Sequence, residues 1–368
     1  MPSKEYKLTF LGDIMLGRLI DQMLPTHVDE PEEARLAAHF RQSYAHLQNY
    51  DATSPWGNTL DFLHKSDLVL GNLETAATTH STKWPNKVFN YRMHPANVEC
   101  LKAAGIAYVS LANNHTLGFC REGLFETVKT IEDAKIAHAG AGRTIEEADR
   151  PAVLQLPGTK RQIHLYSFSD HPDDWSRVRE FNSLRYNEDF RSRIRSILTR
   201  SHTGLASKPD LKVFSVHWGP NYSWRPSEDI KSLARFLIDN CGVDIIHGHS
   251  SHHVQGVEVY NGKLIIYGCG DFVDDYAVNA EYRNDLSAAW NVHVHMEEDQ
   301  PIEISKLEVF PNRIKKFQAE LIDQKDVDHK WICKKFRALC ADLGTVVEEG
   351  LGTIGQIVVD LKKQSSNR

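Results

Sequence analysis

The sequence predicts an α/β layered fold. Apolar runs of about four to six residues alternate with amphipathic helical stretches along most of the 368-residue chain. Glycine or polar residues bound these runs, which is typical of strands buried on both faces. The strand–helix–strand order repeats, as expected when helices cover a sheet. With 41% hydrophobic and 25% charged residues, the composition is that of a globular chain able to bury a full core.

The strands are placed by their apolar runs and the helices by their periodicity. Strands are predicted at residues 8–11, 67–70, 108–111, 163–168, 213–216, 244–246 and 264–267. Helices are predicted at 95–104, 121–135 and 227–241. Pro95 suits a first helical turn, and Gly105 and Gly242 lie where C-terminal caps are expected.

The remaining segments extend this single domain. Residues 30–57 form a helical insertion, and 140–161 are predicted as a loop with one short strand. Residues 288–296 and 302–310 alternate in the manner of antiparallel strands. We therefore expect a domain at 1–322 and a mostly helical extension at 323–368 that packs on it.

Charge and cysteine content restrict the partners and the compartment. The net charge is −6 without a long run of one sign, so no nucleic acid or anionic membrane is expected as a partner. The N-terminus lacks an apolar signal core, and no window approaches the length of a membrane helix. The six cysteines include no CxxC pair, as expected for free thiols in a reducing cytosol. We predict a cytoplasmic protein without a membrane anchor.

Almost every predicted strand ends in a potential metal ligand or proton-transfer group. These residues are Asp13, Asn72, Glu74, Asn114, His115, His217, His249, His252 and Asp271. One histidine after a strand is more often structural, but ligands of layered α/β sheets bind beyond the carboxyl ends of the strands. The joint pattern therefore favours a shared metal site. Oxygen and imidazole donors without thiolate favour Mn, Fe or Zn in an open site, or Mg or Ca, over structural zinc.

Six motifs occur in a fixed order. They are GDIMLGR (12–18), GNLET (71–75), NNHTL (113–117), HWG (217–219), GHSSH (248–252) and GDF (270–272). Together they resemble the CapA family, which is associated with poly-γ-glutamate and capsule synthesis and is similar to the calcineurin-like metallophosphoesterases. The resemblance spans roughly residues 6–290. It implies a calcineurin-like fold, a two-sheet β-sandwich flanked by helices in four layers (αββα).

The resemblance also implies roles for individual residues. The metal ligands would be Asp13, Asn72, Glu74, Asn114, His217, His249 and His252. His115 would match the phosphoesterase histidine that donates a proton to the leaving group. Arg18 and Arg92 are candidate clamps for a carboxylate or phosphate, and Trp218 is a candidate wall of a substrate pocket.

Three departures from the phosphoesterase pattern weaken a two-metal site. Met15 stands where an imidazole is usual, and a thioether cannot replace imidazole for a hard or borderline ion. Asn72 and Gly118 stand where aspartates are usual. We therefore expect one divalent ion (Ca, Mn, Mg, Zn or Fe) in a site suited to proton transfer.

The leading functional hypothesis is acid–base catalysis on a peptide or poly-amino-acid. The favoured reaction is Cα epimerisation beside a carboxylate, as in CapA-like epimerases of lasso-peptide pathways, with His115, His217, Asp13 and Asp271 as catalytic residues. One alternative is metal-dependent hydrolysis of a phosphoester or γ-glutamyl amide. The other is a non-catalytic accessory role in polymer synthesis.

Several other histidines are expected to be structural. His293 and His295 share one face of a predicted strand, where a packed or solvent-facing pair is the simpler interpretation. His164 and His171 are also predicted to be structural, although the loop at 170–175 could border the cleft.

Overall fold

A computed structural model describes residues 4–200, 208–298 and 300–364. Residues 1–3 of the N-terminal segment, and residues 365–368 of the predicted helical extension, lie outside that part. None of the helices within the described ranges combines the length and the apolar composition needed to cross a membrane.

Strands supply most of the core. In chain order they are β1 (Lys4–Ile14), β2 (Leu68–Leu73), β3 (Ala76–Ala77), β4 (Arg92–Met93), β5 (Ile106–Ser110), β6 (Ala137–Ala139), β7 (Ala152–Gln155), β8 (Gln162–Ser169), β9 (Leu211–His217), β10 (Ile245–His249), β11 (Val257–Tyr260), β12 (Lys263–Ile266), β13 (Asp271–Val273), β14 (Leu286–Met296), β15 (Glu303–Lys315), β16 (Gln318–Leu321) and β17 (Ile357–Asp360).

Helices connect and cover these strands. They are α1 (Arg18–Met23), α2 (Pro31–Ser43), α3 (Leu60–Leu63), α4 (Glu99–Ala103), α5 (Cys120–Asp133), α6 (Ile145–Asp149), α7 (Glu188–Thr199), α8 (Glu228–Cys241), α9 (Val327–Asp342) and α10 (Leu361–Gln364). Short 3₁₀ turns lie at Ala45–Leu47, Ser54–Thr59, Pro95–Val98 and Asp173–Arg177.

Two large sheets organise the chain. Sheet I has the order β16-β15-β14-β1-β2-β5-β6, with β13 also pairing with β1 and β17 with β15. Sheet II has the order β11-β12-β10-β9-β8-β7. Strand β1 runs parallel to β2 and β13, and β9 runs parallel to β8 and β10. The carboxyl ends of the central strands in each sheet therefore lie at one edge.

The two sheets pack face to face. One buried cluster between them contains Leu8, Phe10 and Trp290 of sheet I together with Leu165, Val213 and Ile245 of sheet II. Leu101 of α4 and Leu124 of α5 join the cluster on the outer side of sheet I. Ile194 of α7 and Leu233 of α8 cover the outer side of sheet II. The predicted four-layer αββα arrangement is confirmed.

Some elements differ from the prediction. The segment 140–161 contains the predicted short strand, β7, but also the helix α6, whose Thr144 side chain caps it by accepting from Glu147 N. Helix α7 was not predicted. The C-terminal extension at 323–368 was predicted to be mostly helical. It contains helix α9, but the prediction is wrong at Ile357–Asp360, which forms strand β17. This β-branched run pairs antiparallel with β15 instead, because its apolar side chains fit a buried sheet position.

Candidate metal centre

Strand register brings the predicted ligands together. On sheet I, Asp13 of β1 lies opposite Asn72 of β2 and opposite Asp271 of β13. On sheet II, His217 of β9 lies opposite His249 of β10. Residues far apart in the sequence thus meet at one edge, as the strand-end pattern predicted.

Asp13 is the centre of this cluster. Its Oδ1 lies 3.8 Å from His249 Nδ1 and 4.0 Å from His217 Nδ1. Its Oδ2 accepts a hydrogen bond from Ser250 N at 3.2 Å. Asp13, His217 and His249 form one group of potential metal ligands, and Asp13, Glu74, His252 and Asp271 form a second, each with donor atoms within 4.8 Å of one another. Both groups therefore share Asp13.

Unsatisfied buried atoms show that these residues fit a cation. Glu74 Oε1, Asn114 Oδ1, His217 Nε2 and Asp271 Oδ2 are buried and have no hydrogen-bond partner among the described residues. Buried polar atoms in native proteins are nearly always paired, because leaving one unpaired costs about 1–3 kcal/mol. A metal ion would satisfy such lone pairs, and this oxygen and nitrogen donor set suits a hard or borderline divalent ion.

Burial also shifts the protonation of the cluster. It raises the pKa of Glu74 well above its ordinary value, and the charge of Asp13 raises it further. Burial raises the pKa of Asp271 in the same way, with Asp274 as the next contributor. Burial lowers the pKa of the His217 and His249 imidazoles well below the usual range. The free ligands are therefore biased to their neutral forms, so a divalent cation would supply the missing charge.

The loop after β10 carries strained backbone. Ser250 and His252 have φ values of +96° and +61°, which are uncommon for residues with side chains. This conformation directs Ser250 N at Asp13 and places His252 Nδ1 2.8 Å from Asp271 Oδ1. A carboxylate in this position fixes the orientation of the ring.

His115 lies beside the cluster but belongs to neither ligand group. Its Nε2 is 3.8 Å from Glu74 Oε1, and its ring stacks on Tyr91 with centroids 4.4 Å apart. Tyr276 donates a hydrogen bond to the other Glu74 oxygen at 3.3 Å. Burial lowers the pKa of His115 well below its usual value. The geometry therefore leaves this imidazole available for proton transfer.

Asn72, which was predicted to be a metal ligand, hydrogen-bonds through both of its polar side-chain atoms. Its amide donates to Asp13 Oδ1 at 2.6 Å, and its oxygen accepts from Asn113 Nδ2 at 3.1 Å. Asn113 also donates to the Leu73 carbonyl and accepts from His115 N. Asn72 therefore holds Asp13 through its amide nitrogen, and one lone pair of its oxygen is engaged by Asn113. Asn113 was missed, although the pair of asparagines before His115 was a signal.

Arg18 approaches the site through Tyr91, the ring that stacks on His115. Its guanidinium lies 3.5 Å from Asp275 and 5.0 Å from the centre of the Tyr91 ring, and its side chain is 29% exposed. Its position is compatible with the predicted contact to an anionic substrate group.

Arg92 and Trp218 do not fit their predicted substrate contacts. Arg92 forms an ion pair with Glu30 at 2.8 Å and donates to the carbonyls of Thr79 and His80, so its donors are engaged by the protein. Trp218 is buried in the core next to sheet II, and its indole N–H donates to Tyr267 O at 2.9 Å. Neither side chain offers a free polar group to a ligand.

His171 was predicted to be structural, with its loop at 170–175 as an alternative border of the cleft, and the structure places it beside the site. Its ring centroid lies 5.0 Å from that of His217, and its side chain is 32% exposed. Its Nδ1 is hydrogen-bonded to Asp170, which also accepts from Gly219 N and from the Tyr186 hydroxyl. The signal was its position just after β8, at the same edge as the other ligands.

Comparison with known proteins identifies the family. The family described as "Bacterial capsule synthesis protein PGA_cap" matches residues 7–276. The chain belongs to the PGA_cap family. Its relatives include the CapA proteins, so the CapA resemblance drawn from the six motifs is confirmed.

Three curated relatives of this PGA_cap protein show the range of similarity. A probable polyglutamine synthesis accessory protein of Mycobacterium tuberculosis is 32% identical over 333 residues, covering 86% of this chain and 87% of the relative. Capsule biosynthesis protein CapA of Bacillus anthracis is 26% identical and covers 74% and 61%. PGA biosynthesis protein CapA of Bacillus subtilis is 25% identical and covers 73% and 63%. Among solved structures, a novel phosphatase from Mycoplasma pneumoniae is 14% identical, covers 84% and 93%, and has a TM-score of 0.46.

Proposed function

We propose that this PGA_cap protein is a metal-dependent enzyme that epimerises a Cα centre beside a carboxylate in a peptide or poly-amino-acid. The observation that carries the proposal is the buried cluster of carboxylates and imidazoles around Asp13, with His115 outside both ligand groups. Such a cluster is costly unless it holds a cation. Perturbed groups of this kind are concentrated at functional sites.

The residues that would hold the ion are already defined. Asp13, His217 and His249 would bind one divalent ion (Mn, Ca, Mg, Zn or Fe), and Glu74, His252 and Asp271 form the second group of potential ligands that includes Asp13. When bound, the ion would neutralise negative charge that develops on the substrate carboxylate. Of the four residues predicted to be catalytic, His217, Asp13 and Asp271 fall in these ligand groups, which leaves His115 for proton transfer.

Epimerisation needs one group to remove the Cα proton and another to return a proton to the opposite face. His115, held beside Glu74, is the proposed first group. His171, hydrogen-bonded through Nδ1 to Asp170, is the proposed second. The substrate loses one proton and gains one, while His115 ends with an extra proton and His171 with one fewer. Proton exchange with solvent then returns both imidazoles to their starting states, and this exchange is the route by which deuterium from D₂O reaches Cα. Burial lowers the pKa of His115, so its imidazole is held neutral and offers a lone pair that can accept the Cα proton.

The site and the relatives support the proposed substrate class. Arg18 offers a partly exposed cation beside Tyr91 and Asp275, which suits a carboxylate. The relatives are named for polyglutamine, capsule and PGA synthesis, which supports a poly-amino-acid or a related peptide. A cytoplasmic location remains part of the proposal.

A second candidate function is hydrolysis. The two ligand groups that share Asp13 favour it, because adjacent metal ions that share a carboxylate can position both a water and a leaving group. The substrate would be a phosphoester or a γ-glutamyl amide. A non-catalytic accessory role is the third reading, and the name of the mycobacterial relative supports it.

Incubation in D₂O separates these candidates. The metal-loaded protein is mixed with α- and γ-linked glutamyl oligomers and with an aryl phosphate, and mass spectrometry follows deuterium at Cα. Epimerisation predicts deuterium entry without cleavage, and the His115→Gln variant should lose it. The control variant His39→Gln alters an exposed histidine of α2 and should behave as wild type. Release of phosphate or glutamate without deuterium entry would replace epimerisation by hydrolysis, and binding without either would indicate the accessory role.

A further inference from the structure

A chain of buried hydrogen bonds connects strand β1 to the proposed ligand His249. His247 Nε2 lies 2.8 Å from Leu11 O. His247 Nδ1 lies 3.0 Å from Ser215 Oγ, and Ser215 Oγ lies 3.2 Å from His249 Nε2. The side chains of His247, Ser215 and His249 are fully buried. Water therefore cannot substitute for any partner, and the direction of each hydrogen bond is restricted.

The first hydrogen bond fixes the tautomer of His247. A carbonyl oxygen only accepts, so the proton of His247 must be on Nε2. In the described structure this ring hydrogen-bonds to a carbonyl and a hydroxyl and packs on Phe10, with no carboxylate partner to stabilise a charged form. A neutral imidazole has one N–H, so His247 Nδ1 accepts. Its donor is the Ser215 hydroxyl.

The second hydrogen bond then fixes the tautomer of His249. Ser215 has a single hydroxyl hydrogen, which it gives to His247, so its oxygen accepts from His249 Nε2–H. The reverse assignment would place the His247 Nδ1 lone pair against the Ser215 oxygen at 3.0 Å without a proton between them.

The remaining nitrogen of His249 faces the site. Its Nδ1 carries a lone pair and lies 3.8 Å from Asp13 Oδ1 and 2.9 Å from His217 Nδ1. Two imidazole nitrogens this close either share a proton or converge on one cation. The hydrogen-bond chain thus selects the nitrogen that can act as a ligand.

We propose that Ser215 and His247 are positioning residues that hold His249 in its Nε2–H tautomer and so present Nδ1 to the metal. This role concerns the same site as the proposed function. It also exists without substrate or metal, because the chain of hydrogen bonds consists of protein groups alone. Outer partners of this kind orient ligands and raise their basicity.

A serine on the neighbouring strand offers a matched control for Ser215. Ser167 of β8 lies directly opposite Ser215 in the sheet register and is also buried, but its hydroxyl pairs with Ser110 Oγ at 2.6 Å. Ser167→Ala and Ser215→Ala remove the same atom from neighbouring strands. Ser215→Thr restores a hydroxyl and serves as the rescue variant.

The experiment reads the tautomer directly. Nitrogen-15 NMR of the metal-free protein, with His249 assigned from a His249→Gln sample, should show an unprotonated Nδ1 and a protonated Nε2. Ser215→Ala should mix the two tautomers and weaken Mn²⁺ affinity by about 10- to 100-fold in a calorimetric titration. Ser167→Ala and Ser215→Thr should retain the wild-type tautomer and affinity.

Two results would overturn the inference. One is a wild-type spectrum with the His249 proton on Nδ1. The other is a Ser215→Ala variant whose tautomer and Mn²⁺ affinity equal those of Ser167→Ala. A wild-type protein that binds no Mn²⁺ would remove the proposed function, while the NMR spectra would still decide the tautomer on their own.

Discussion

Two regions of this protein bury histidine with carboxylate, and they differ in how the charges are paired. In sheet I, His293 Nε2 lies 2.8 Å from Glu308 Oε2, and Lys306 and Gln356 donate to the other oxygen at 3.0 and 3.1 Å. Around Asp13, by contrast, Glu74 Oε1 and Asp271 Oδ2 have no hydrogen-bond partner within the described chain. Residue type alone does not distinguish the two clusters.

The pKa shifts of the two clusters have opposite signs. The hydrogen bond from His293 lowers the pKa of Glu308 to about 2. Burial raises the pKa of Glu74 and Asp271 well above their ordinary values. Protein groups engage both oxygens of the Glu308 carboxylate, whereas Glu74 and Asp271 each keep an oxygen that only a proton or a cation would satisfy. Incomplete pairing of buried acids is therefore the feature that marks a functional site here.

The difference between the Asp13 cluster and the His293–Glu308 pair is tested most strongly at Asp13, which both ligand groups share. Asp13→Asn should abolish detectable metal binding, a larger loss than the roughly 10- to 100-fold effect of changing an outer partner. Mass-spectrometric metal analysis and calorimetry measure the effect. Asp133→Asn, which changes an exposed aspartate of α5, is the control and should retain the metal. Full metal content in Asp13→Asn would contradict the assignment of the cluster.

A second test separates proton transfer from metal binding. His115→Gln should reduce Cα deuterium exchange by about 10²- to 10⁴-fold, as expected for loss of a general acid or base. Its metal content should remain close to wild type, because His115 belongs to neither ligand group. An equal loss of metal and exchange would mean that His115 supports the ligands and does not transfer protons.

The raised pKa values predict a third effect, on the pH dependence of metal binding. Because burial favours the protonated forms of Glu74 and Asp271, a cation must displace protons from them. Metal affinity should weaken as the pH falls, by about tenfold per pH unit for each proton displaced. Calorimetry in two buffers with different ionisation enthalpies measures the released protons. Binding without proton release would show that these acids are already ionised.

The smallest expected effect is at the structural pair. Glu308→Gln should lower the free energy of unfolding by about 1 kcal/mol at neutral pH without changing the metal content. The folded-state pKa is depressed, so this contribution is present above the ordinary value of 4.5 and is lost as the pH falls toward about 2. Denaturant unfolding at several pH values measures the difference. Glu303→Gln, at an exposed position of the same strand, should have little effect.

Much of the site could be predicted because it depends on strand ends. Asp13, Glu74, His217, His249 and His252 follow apolar runs, and the register of parallel strands places such positions at a common edge. The division between ligands and supporting residues could not be predicted. Asn72 carries suitable donor atoms, but its amide is occupied by Asp13 and Asn113, which only the packed structure shows.

Two other predicted roles differ from the structure for the same reason, which is that the partners of a side chain come from distant segments. Arg92 and Trp218 have the chemistry of substrate-binding residues, yet Glu30 and the Tyr267 carbonyl occupy their polar groups. For His171 the sequence left two alternatives open, a structural residue or part of a loop bordering the cleft, and the fold places it beside His217. A side chain's partners come from distant segments, so local sequence does not reveal whether its hydrogen bonds are already satisfied.

The sequence by itself determined the α/β layers, the edge at which function is concentrated and the donor types available there, because periodicity and strand length are local properties. Only the tertiary structure decided which donors remain unpaired. Separate segments of the chain meet in the pairing of His252 with Asp271 and in the two ligand groups that share Asp13. They also meet in the hydrogen bonds that connect Leu11 to His249. The donor and acceptor of each hydrogen bond between Leu11 and His249 follow from burial, which removes water as an alternative partner.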